Sequence, residues 1–274
     1  MSLLLPTIDH DSIAAESFAA LAAARSIPPF SQRYPGISLD DAYRATARLR
    51  ELRVAGGEIV VGRKIGFTNR TIWAEYGVYA PMWGFMFAST VHDLASCEAF
   101  PLARFAEPRI EPEIIFGLAR SPTPDMDEAA LLGCIDWIAH GFEIVQSIFP
   151  GWKFTAADTV IANGLHGALL IGPRHPATGR AAPWLSTLAS FEIDLFRDGV
   201  AVDRGHAANV LDGPLSALRH LVGLLARDPV NRPLDPGEIV TTGTLTRAFP
   251  IKPGETWSTI LHGIALDGVR IRFS

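Results

Sequence analysis

Two glutamates, Glu111 and Glu113, stand two residues apart in an apolar and β-branched run at residues 110–116. If this run forms a β-strand, its period of two places both carboxylates on the same face. Two like charges on a half-buried face repel each other and are costly to desolvate unless a proton or a cation lies between them. A hard divalent cation such as Mg²⁺ meets this need, because it takes oxygen ligands and leaves coordination positions for water or substrate. The alternative is the solvated face of an edge strand, which Pro112 would tolerate.

A third acid, Glu143, lies in a second apolar run at residues 141–145 and strengthens the prediction of a cation site. His140 precedes Glu143 by three residues. A transition-metal site normally uses more His or Cys ligands than the sequence offers near these acids. We therefore interpret His140 as a structural or surface histidine rather than as a metal ligand.

Lys64 is the candidate for proton transfer or for binding an anion. It lies in a strand predicted over residues 58–67, on the same face as Gly62 and Gly66. Glycine inside a strand often marks the close approach of a ligand or of another backbone. A lysine in such a clearing can bind an anionic substrate, or act as an acid or base if its pKa is lowered. The alternative is an exposed lysine beside a β-bulge.

The elements that must position these side chains follow from periodicity and turn signals. Helices are predicted at residues 12–25, 38–56, 68–77, 127–138 and 214–226. Strands are predicted at residues 58–67, 110–116, 141–145, 167–172 and 238–244, with a hairpin at 191–200 and final strands that close at an Asp-Gly turn at 267–268. Residues 158–164 are interpreted as a loop or the start of a strand. Because strands outnumber helices after residue 58 and hairpin turns recur, we expect a largely antiparallel or mixed β architecture.

The amino-acid composition limits the classes of protein to which the chain can belong. The chain has 274 residues, of which 48% are hydrophobic and 19% are charged, as in an ordinary globular protein. A net charge of -5 does not indicate the positively charged surface that would bind nucleic acid or anionic lipid. The two cysteines, Cys97 and Cys134, make a disulfide framework unexpected, and they fit a reducing compartment. Without a long apolar run or a basic leader, the chain is predicted to be soluble and cytoplasmic, with no membrane partner.

Five segments, in this order, resemble the fumarylacetoacetate hydrolase superfamily, specifically its branch of 2-keto-4-pentenoate hydratases and 4-oxalocrotonate decarboxylases. They are GRKIGFT (62–68), IEPEI (110–114), FEIV (142–145), DTV (158–160) and GEIVTTG (237–243). No single segment is decisive, but five in the family's order carry the resemblance from about residue 37 to the end of the chain. The sequence has no Gly-x-Gly-x-x-Gly fingerprint and no phosphate loop, which removes the common nucleotide-binding functions.

The resemblance implies an α+β fold, a β-rich mixed-sheet roll or sandwich behind a small helical region. We predict a helical N-terminal cap at residues 1–57 and a β-rich catalytic domain at residues 58–274. The resemblance also implies a Mg²⁺ or Mn²⁺ ion held by Glu111, Glu113 and Glu143. Because family members are often multimeric, we expect a homo-oligomer.

The resemblance further implies a lyase of aromatic-compound degradation that hydrates a 2-hydroxy-2,4-dienoate. The carboxylate and 2-oxygen of such a substrate form a natural chelate for a cation, which stabilises the enolate. Lys64, as the predicted catalytic residue, would bind the carboxylate or oxo end of the substrate or move a proton. The remaining predicted substrate contacts are Phe67, Tyr79, Leu165 and Thr244.

The sequence also departs from the pattern of the related hydratases. They carry an aspartate at the position of Tyr79, and an acid and a serine at those of Ala162 and Leu165. We infer that enolate chemistry is kept while the proton-transfer groups or the distal part of the substrate have changed. A less polar pocket would suit a substrate with an apolar tail.

Three other functions remain open from the sequence. A decarboxylase of a 2-oxo-enedioate such as 4-oxalocrotonate needs the same ion and the same chelate. A hydrolase of an acylpyruvate uses a His and a Glu on a mobile lid, a pair that we do not identify in this sequence. A non-catalytic partner subunit of an active homologue would be consistent with the replaced polar positions, although the retained metal ligands argue against it.

Overall fold

The computed structural model describes residues 7–179 and 181–274. The helices are α1 (His10–Ala22), α2 (Phe30–Arg33), α3 (Leu39–Ala55), α4 (Trp73–Tyr76), α5 (Glu128–Leu132), α6 (Ala156–Ile161), α7 (Ala181–Thr187) and α8 (Pro214–Ala226). The strands are β1 (Val60–Gly66), β2 (Met82–Phe87), β3 (Val91–Asp93), β4 (Arg109–Leu118), β5 (Ile135–Val145), β6 (His166–Pro176), β7 (Glu192–Arg197), β8 (Val200–His206), β9 (Ile239–Thr241), β10 (Phe249–Pro250), β11 (Thr256–His262) and β12 (Arg270–Arg272).

The strands form two sheets. Over the described residues, eight strands make a mixed sheet in the order β2-β1-β9-β4-β5-β6-β3, with β10 added to β4. The β1–β9 and β3–β6 pairs are parallel, and the other pairs of this sheet are antiparallel. Four further strands make an antiparallel sheet in the order β12-β11-β7-β8. This arrangement confirms the predicted β-rich α+β class with a mixed sheet.

Alternation along β4 and β5 divides their side chains between two faces of the large sheet. Ile110 pairs with Ile144, and both lie in one buried cluster with Leu195 and Trp257 of the small sheet. This face therefore packs sheet against sheet, and each fully buried Leu or Ile contributes roughly 1.5–3 kcal/mol relative to exposure. Glu111, one residue after Ile110, lies on the opposite face.

The N-terminal helices pack against α6, in line with the predicted helical N-terminal region. Ser38 caps α3, as expected from the sequence. The hydroxyl of Ser17 donates to the backbone oxygen of Ile161 at 2.8 Å, and that of Thr46 donates to the backbone oxygen of Val160 at 2.7 Å.

The division into two domains at residue 57 stays a prediction. Among the residues that the structure describes, no helix is long and apolar enough to cross a membrane.

The predicted hairpin at 191–200 is confirmed. Strands β7 and β8 pair antiparallel around Asp198 and Gly199, whose φ angles are 51° and 79°. Two residues with positive φ between antiparallel strands match the right-handed twist of a hairpin, and Asp-Gly tolerates this conformation at little cost.

The predicted helix at residues 127–138 is wrong in its second half. Helix α5 ends at Leu132, and β5 begins at Ile135, which pairs with Leu118 on β4. A short apolar run cannot be assigned to helix or buried strand by periodicity alone. Pairing with the long strand β4 decides the conformation of residues 135–138.

Residues 158–164, interpreted from the sequence as a loop or strand start, contain most of helix α6 and a 3₁₀ turn at Asn163–Leu165. Thr155 and Asp158 form a capping box at the start of α6, in which each side chain bonds to the backbone of the other residue. A capping box satisfies backbone donors that the first helical turn leaves unpaired. This signal was present in the sequence and favoured a helix.

Candidate metal centre and active site

Glu111, Glu113 and Glu143 are brought together by the pairing of β4 with β5. Glu111 lies directly opposite Glu143, and Glu113 follows two residues later on the same face. One carboxylate oxygen from each residue lies within 4.8 Å of the others. Glu113 and Glu143 are fully buried, whereas Glu111 is partly exposed and borders a cavity. The structure therefore places the three predicted metal ligands where one ion could be shared.

Each of the two buried glutamates has one oxygen bonded to a nitrogen and one oxygen without a hydrogen-bond partner. The backbone N–H of Gly243 donates to Glu113 Oε2 at 2.7 Å, and Nδ1 of His166 lies 2.8 Å from Glu143 Oε1. Within the described residues, Glu113 Oε1 and Glu143 Oε2 have no hydrogen-bond partner, and Glu143 Oε2 has the Lys64 ammonium as an ion-pair partner at 3.3 Å. Buried carboxylate oxygens without partners are costly, and hard cations take such oxygens as ligands. These side chains therefore fit a divalent metal ion.

Gly243 can donate to Glu113 because it has no side chain. Its φ is 95°, a left-handed conformation that L side chains rarely adopt, and an added Cβ would lie 1.7 Å from Oγ1 of Thr68. Gly243 belongs to one of the segments that carried the family resemblance. Its role is thus to let the backbone N–H approach the buried carboxylate.

Lys64 is the cation beside this cluster. It is only 3% exposed, and its Nζ lies 3.3 Å from Glu143 Oε2, one of the two carboxylate oxygens without a hydrogen bond. Strand β1 reaches β4 through β9, because Lys64 pairs with Thr241, and Thr241 also pairs with Ile115 on β4. Strand β9 therefore lies between the strand that carries Lys64 and the strand that carries Glu111 and Glu113, and the lysine side chain reaches the glutamates across it.

The two glycines around Lys64 have different functions. A Cβ on Gly66 would lie 2.9 Å from Lys64 Nζ, so this glycine clears space for the lysine side chain, as predicted. A Cβ on Gly62 would instead lie 1.9 Å from the backbone oxygen of Ile239, so Gly62 permits the close approach of β9. Gly62 therefore serves strand packing rather than the site.

The cluster favours fewer than three ionised carboxylates in the absence of a cation. Burial raises the pKa of Glu111 to about 7; the charge of Glu143 adds to this shift, and Lys64 opposes it. Burial and the neighbouring glutamates raise the pKa of Glu113 well above its usual range. Burial disfavours the charged form of Glu143, but Lys64 and His166 outweigh it and lower its pKa. Burial also opposes the charge of Lys64, but the three carboxylates outweigh it and raise the pKa of the lysine.

This charge pattern predicts pH-dependent metal binding. A cation requires ionised ligands, so it competes with the proton on Glu111, whose pKa is about 7. We expect the Mg²⁺ affinity of the chain to fall by about tenfold per pH unit below neutrality for each proton displaced. Isothermal titration calorimetry below, at and above neutral pH measures this slope, and an affinity independent of pH would contradict the prediction.

A cavity of about 180 Å³ opens beside the cluster. Lys64 and Glu111 both line it, so the cationic and acidic groups are accessible from this space. Much of the remaining lining is apolar and comes from Phe67, Val145, Trp152, Leu165 and Phe249. A cavity with apolar walls and a few convergent charged groups is typical of a small-molecule site.

Three of the nine described non-glycine residues with a positive φ line the same cavity. Phe67, Trp152 and Leu165 have φ angles of 54°, 59° and 63°, in the left-handed region that non-glycine residues rarely occupy. Each such residue costs on the order of 1–3 kcal/mol, and strain of this kind clusters at functional sites. The lining of the cavity therefore carries a second, independent sign of function.

Comparisons with known proteins agree with this site. No protein-family model matches the chain. The chain is 30% identical over 265 residues to a 2-keto-4-pentenoate hydratase from Paraburkholderia xenovorans (strain LB400), an alignment that covers 96% of this chain and 94% of the relative. The chain belongs to the 2-keto-4-pentenoate hydratase family. A second member, the 2-hydroxyhexa-2,4-dienoate hydratase of Comamonas testosteroni, is 28% identical over 254 residues, covering 92% of this chain and 94% of the relative.

The same fold occurs in a solved enzyme structure. A solved structure of 4-oxalocrotonate decarboxylase from Pseudomonas putida G7, complexed with magnesium and adipate, matches this chain with a TM-score of 0.86. The sequence identity is 23%, and 97% of each chain is covered, so this likeness concerns the fold alone. The predicted relation to the 2-keto-4-pentenoate hydratases is confirmed by the relatives, and the predicted fold is confirmed by the solved structure.

The structure brings three of the four predicted substrate contacts of this family member to the cavity. Phe67, Leu165 and Thr244 line it together with Lys64. Tyr79 is placed elsewhere: its side chain is 68% exposed, and its ring packs edge-on against Trp73 at a centroid distance of 6.5 Å. Alignment with a polar position of the related hydratases does not bring Tyr79 into the cavity, because the loop after α4 leaves its side chain in solvent.

The sequence reasoning missed several residues of the site in this hydratase-family chain. Three of them, Arg109, Trp152 and Arg247, line the cavity. A fourth, His166, contacts Oε1 of Glu143 through its Nδ1. Arg109 directly precedes the Glu-x-Glu segment, so its position was a usable signal. His166 stands alone at the start of an apolar strand, and no spacing rule marks it.

His140 is structural, one of the two interpretations made from the sequence. It is buried, with Nδ1 2.9 Å from the backbone oxygen of Glu113 and Nε2 2.9 Å from Oγ1 of Thr259. Burial lowers its pKa to about 4, so the ring is neutral at physiological pH. Both ring nitrogens are occupied by these contacts, which leaves His140 no ligand atom for a metal.

Proposed function

We propose that the chain is a divalent-metal-dependent hydro-lyase that adds water to a 2-hydroxy-2,4-dienoate and yields a 4-hydroxy-2-oxo acid. The observation that carries this proposal is the grouping of Glu111, Glu113 and Glu143 beside Lys64 at a cavity with apolar walls. The named hydratases among its relatives support the same activity. The aromatic-compound degradation pathway remains the expected context.

The three glutamates would hold the metal ion, for which we propose Mg²⁺ or Mn²⁺. When bound, such an ion supplies the positive charge that stabilises the enolate of a 2-oxo acid. Glu113 and Glu143 each offer the one oxygen that is free of hydrogen bonds. Glu111 offers a carboxylate at the edge of the cavity.

Lys64 balances the charge of this centre. Three carboxylates outweigh one divalent ion, and a buried ammonium 3.3 Å from Glu143 offsets the excess. Its place in the cavity lining allows it to bind the carboxylate or oxo end of the substrate, or to move a proton. We assign Lys64 as the catalytic residue on this basis.

The apolar walls of the cavity favour a substrate with an apolar tail. We expect kcat/KM to be about fourfold higher for 2-hydroxyhexa-2,4-dienoate than for 2-hydroxypenta-2,4-dienoate, because burial of one methylene contributes about 0.8 kcal/mol. Leu165→Ala should reduce this ratio. Steady-state kinetics with both substrates measures it, and a clear preference for the shorter or a dicarboxylic analogue would contradict the prediction.

The direct test of the activity is turnover by the purified chain. Incubation with 2-hydroxypenta-2,4-dienoate and Mg²⁺ should remove the ultraviolet absorbance of the conjugated diene and form a product heavier by one water. Chelation with EDTA should stop the reaction, and added Mg²⁺ should restore it. Turnover that is insensitive to EDTA, or the absence of turnover with every dienoate tried, would contradict the proposal.

A decarboxylase of a 2-oxo-enedioate is the second candidate, and the two arginines of the cavity favour it. Arg109 and Arg247 both line the cavity and could bind the second carboxylate of such a substrate. Arg247 is well exposed, and its Nε is 3.4 Å from Asp203. Release of carbon dioxide from 4-oxalocrotonate, compared with hydration of dienoates, separates the two functions.

The homo-oligomeric assembly stays a prediction that sedimentation analysis can test.

A further inference from the structure

His166 is a fully buried side chain between a proposed metal ligand and the scaffold. Its Nδ1 lies 2.8 Å from Glu143 Oε1, and its Nε2 lies 2.9 Å from Oγ1 of Thr90. The backbone N–H of Phe87, at the end of β2, donates to the same hydroxyl at 3.2 Å. His166 thus connects Glu143 to a fixed point of the backbone.

An irregularity in the sheet turns His166 toward the glutamates. Ile144 pairs with Ala168, but Val145 pairs with His166, so the register shifts by one residue between these pairs. Under regular alternation, His166 would share the face of Ala168, opposite to Glu143. The shift places it instead on the face of Val145 and Glu143. Bulges of this type commonly re-aim a side chain next to an active site.

Gly167 makes this irregularity possible. A Cβ at residue 167 would lie 2.6 Å from the backbone oxygen of Ile144 and 3.0 Å from the ring of Phe105. A side chain would therefore collide with the backbone of the neighbouring strand. The local sequence His166-Gly167 combines the re-aimed histidine with the residue that the bulge requires.

The hydrogen-bonding roles follow from the chemistry of the groups. A glutamate that binds a cation is ionised, so it only accepts hydrogen bonds. Nδ1 of His166 must then carry the hydrogen that it donates to Glu143 Oε1. Nε2 of the neutral ring then accepts the hydrogen of the Thr90 hydroxyl, whose other available acceptor is the backbone oxygen of Phe87 at 2.9 Å. Glu143 Oε2 is then the oxygen of this residue that no hydrogen bond occupies, with the ammonium of Lys64 3.3 Å away.

We propose that His166 is a positioning residue that fixes Glu143 so that Oε2 alone faces the metal ion. The inference rests on the proposed metal-dependent function. Single-oxygen ligation by Glu143 keeps coordination positions open for a substrate, whereas a carboxylate free to rotate could use both oxygens. The N–H of Gly243 holds Glu113 in the same way, but a side-chain substitution cannot delete a backbone donor.

Two amide substitutions test this role. In His166→Asn the side-chain nitrogen replaces Nδ1, so the donor to Glu143 is kept. In His166→Gln the amide lies one methylene further out, near the place of Nε2, so the contact with Thr90 is kept and the donor to Glu143 is lost. His140→Gln is the matched control, because it alters another buried histidine that contacts a threonine hydroxyl and the backbone oxygen of Glu113 but no carboxylate side chain.

The readout is Mg²⁺ affinity by isothermal titration calorimetry, with thermal unfolding of each metal-free variant as a check on folding. We expect His166→Gln to weaken Mg²⁺ binding by about 10- to 100-fold, the usual effect of removing a residue that orients a metal ligand. His166→Asn should stay within a few-fold of wild type, and His140→Gln should lower the melting temperature without changing Mg²⁺ affinity.

The outcomes separate this inference from the proposed function. If the wild-type chain binds no Mg²⁺ and shows no metal-dependent turnover, the proposed function fails. If the wild-type chain binds Mg²⁺ and folded His166→Gln binds it equally well, only the role of His166 is overturned. Equal losses in His166→Asn and His166→Gln would likewise overturn it, because they would indicate a packing effect rather than the donor to Glu143.

Discussion

Glu111→Gln is expected to reduce kcat/KM by at least about a thousandfold, which corresponds to roughly 4 kcal/mol of transition-state stabilisation. The substitution keeps the shape of the side chain but removes one of three negative ligands of the proposed ion. Because the ion supplies the charge that stabilises the enolate, loss of the ion removes most of the catalysis. Turnover of a dienoate at a Mg²⁺ concentration that just saturates the wild-type chain measures the effect.

The same substitution should not weaken the metal-free fold. The pKa of Glu111 is raised to about 7 in the folded chain, above its ordinary value, so the folded state binds the proton more tightly than the unfolded state. Stability of the metal-free wild type should therefore decrease as the pH rises from about 4.5 to about 7. Glu111→Gln lacks this titration and should show a smaller decrease in melting temperature over that range.

Glu98→Gln is the matched control for this experiment, because Glu98 is exposed and lies outside the cluster. It makes the same chemical change and should leave kcat/KM within about twofold of wild type, as surface substitutions usually do. Retained activity in Glu111→Gln would show that Glu111 is a structural acid. Unfolding of Glu111→Gln would contradict the repulsion inferred for the metal-free cluster.

Lys64→Met is expected to reduce kcat/KM by about 100- to 10,000-fold, the range for removal of a general acid or base. Methionine fills a similar volume and keeps the apolar part of the side chain, so the buried space is not left empty. The variant loses the ammonium that lies 3.3 Å from Glu143 and lines the cavity. Steady-state kinetics with the preferred dienoate measures the loss.

Metal affinity distinguishes the role of Lys64 from that of the glutamates. An ammonium beside the metal site repels a divalent ion, so Lys64→Met should bind Mg²⁺ as tightly as wild type or more tightly, whereas Glu111→Gln should bind it more weakly. Lys153→Met, which removes an exposed lysine, is the control and should change neither property. Full activity of Lys64→Met would remove Lys64 from the mechanism.

Much of the site could be predicted because its geometry is encoded locally. The period of two along β4 places Glu111 and Glu113 on one face, whatever the rest of the fold. Gly66 next to Lys64 marked a strand that makes room for a long side chain. The pairing of Glu143 with Glu111, however, depends on the register of β4 with β5, which the sequence did not predict. The family resemblance, rather than periodicity, implied that Glu143 belongs to the ligand set.

The errors occur where tertiary contacts override local signals. Residues 135–138 carry apolar spacing that suits a helix, but pairing with β4 makes them part of a strand. His166 reaches Glu143 only through a one-residue register shift, which no periodicity shows. Tyr79 was placed in the substrate site by alignment alone, although its exposure depends on the path of a loop. Sequence patterns predict faces of elements better than they predict where loops and bulges point.

Glu111, Glu113 and Glu143 are proposed to share one divalent ion and to leave room for a 2-oxo acid. A crystal structure with Mn²⁺ and oxalate tests it most directly, because manganese is located by its anomalous scattering. We expect a single ion within roughly 2.0–2.6 Å of one oxygen from each glutamate, with oxalate on its open positions facing the cavity. An ion bound elsewhere, or three carboxylates that stay free of any ion at saturating Mn²⁺, would contradict it.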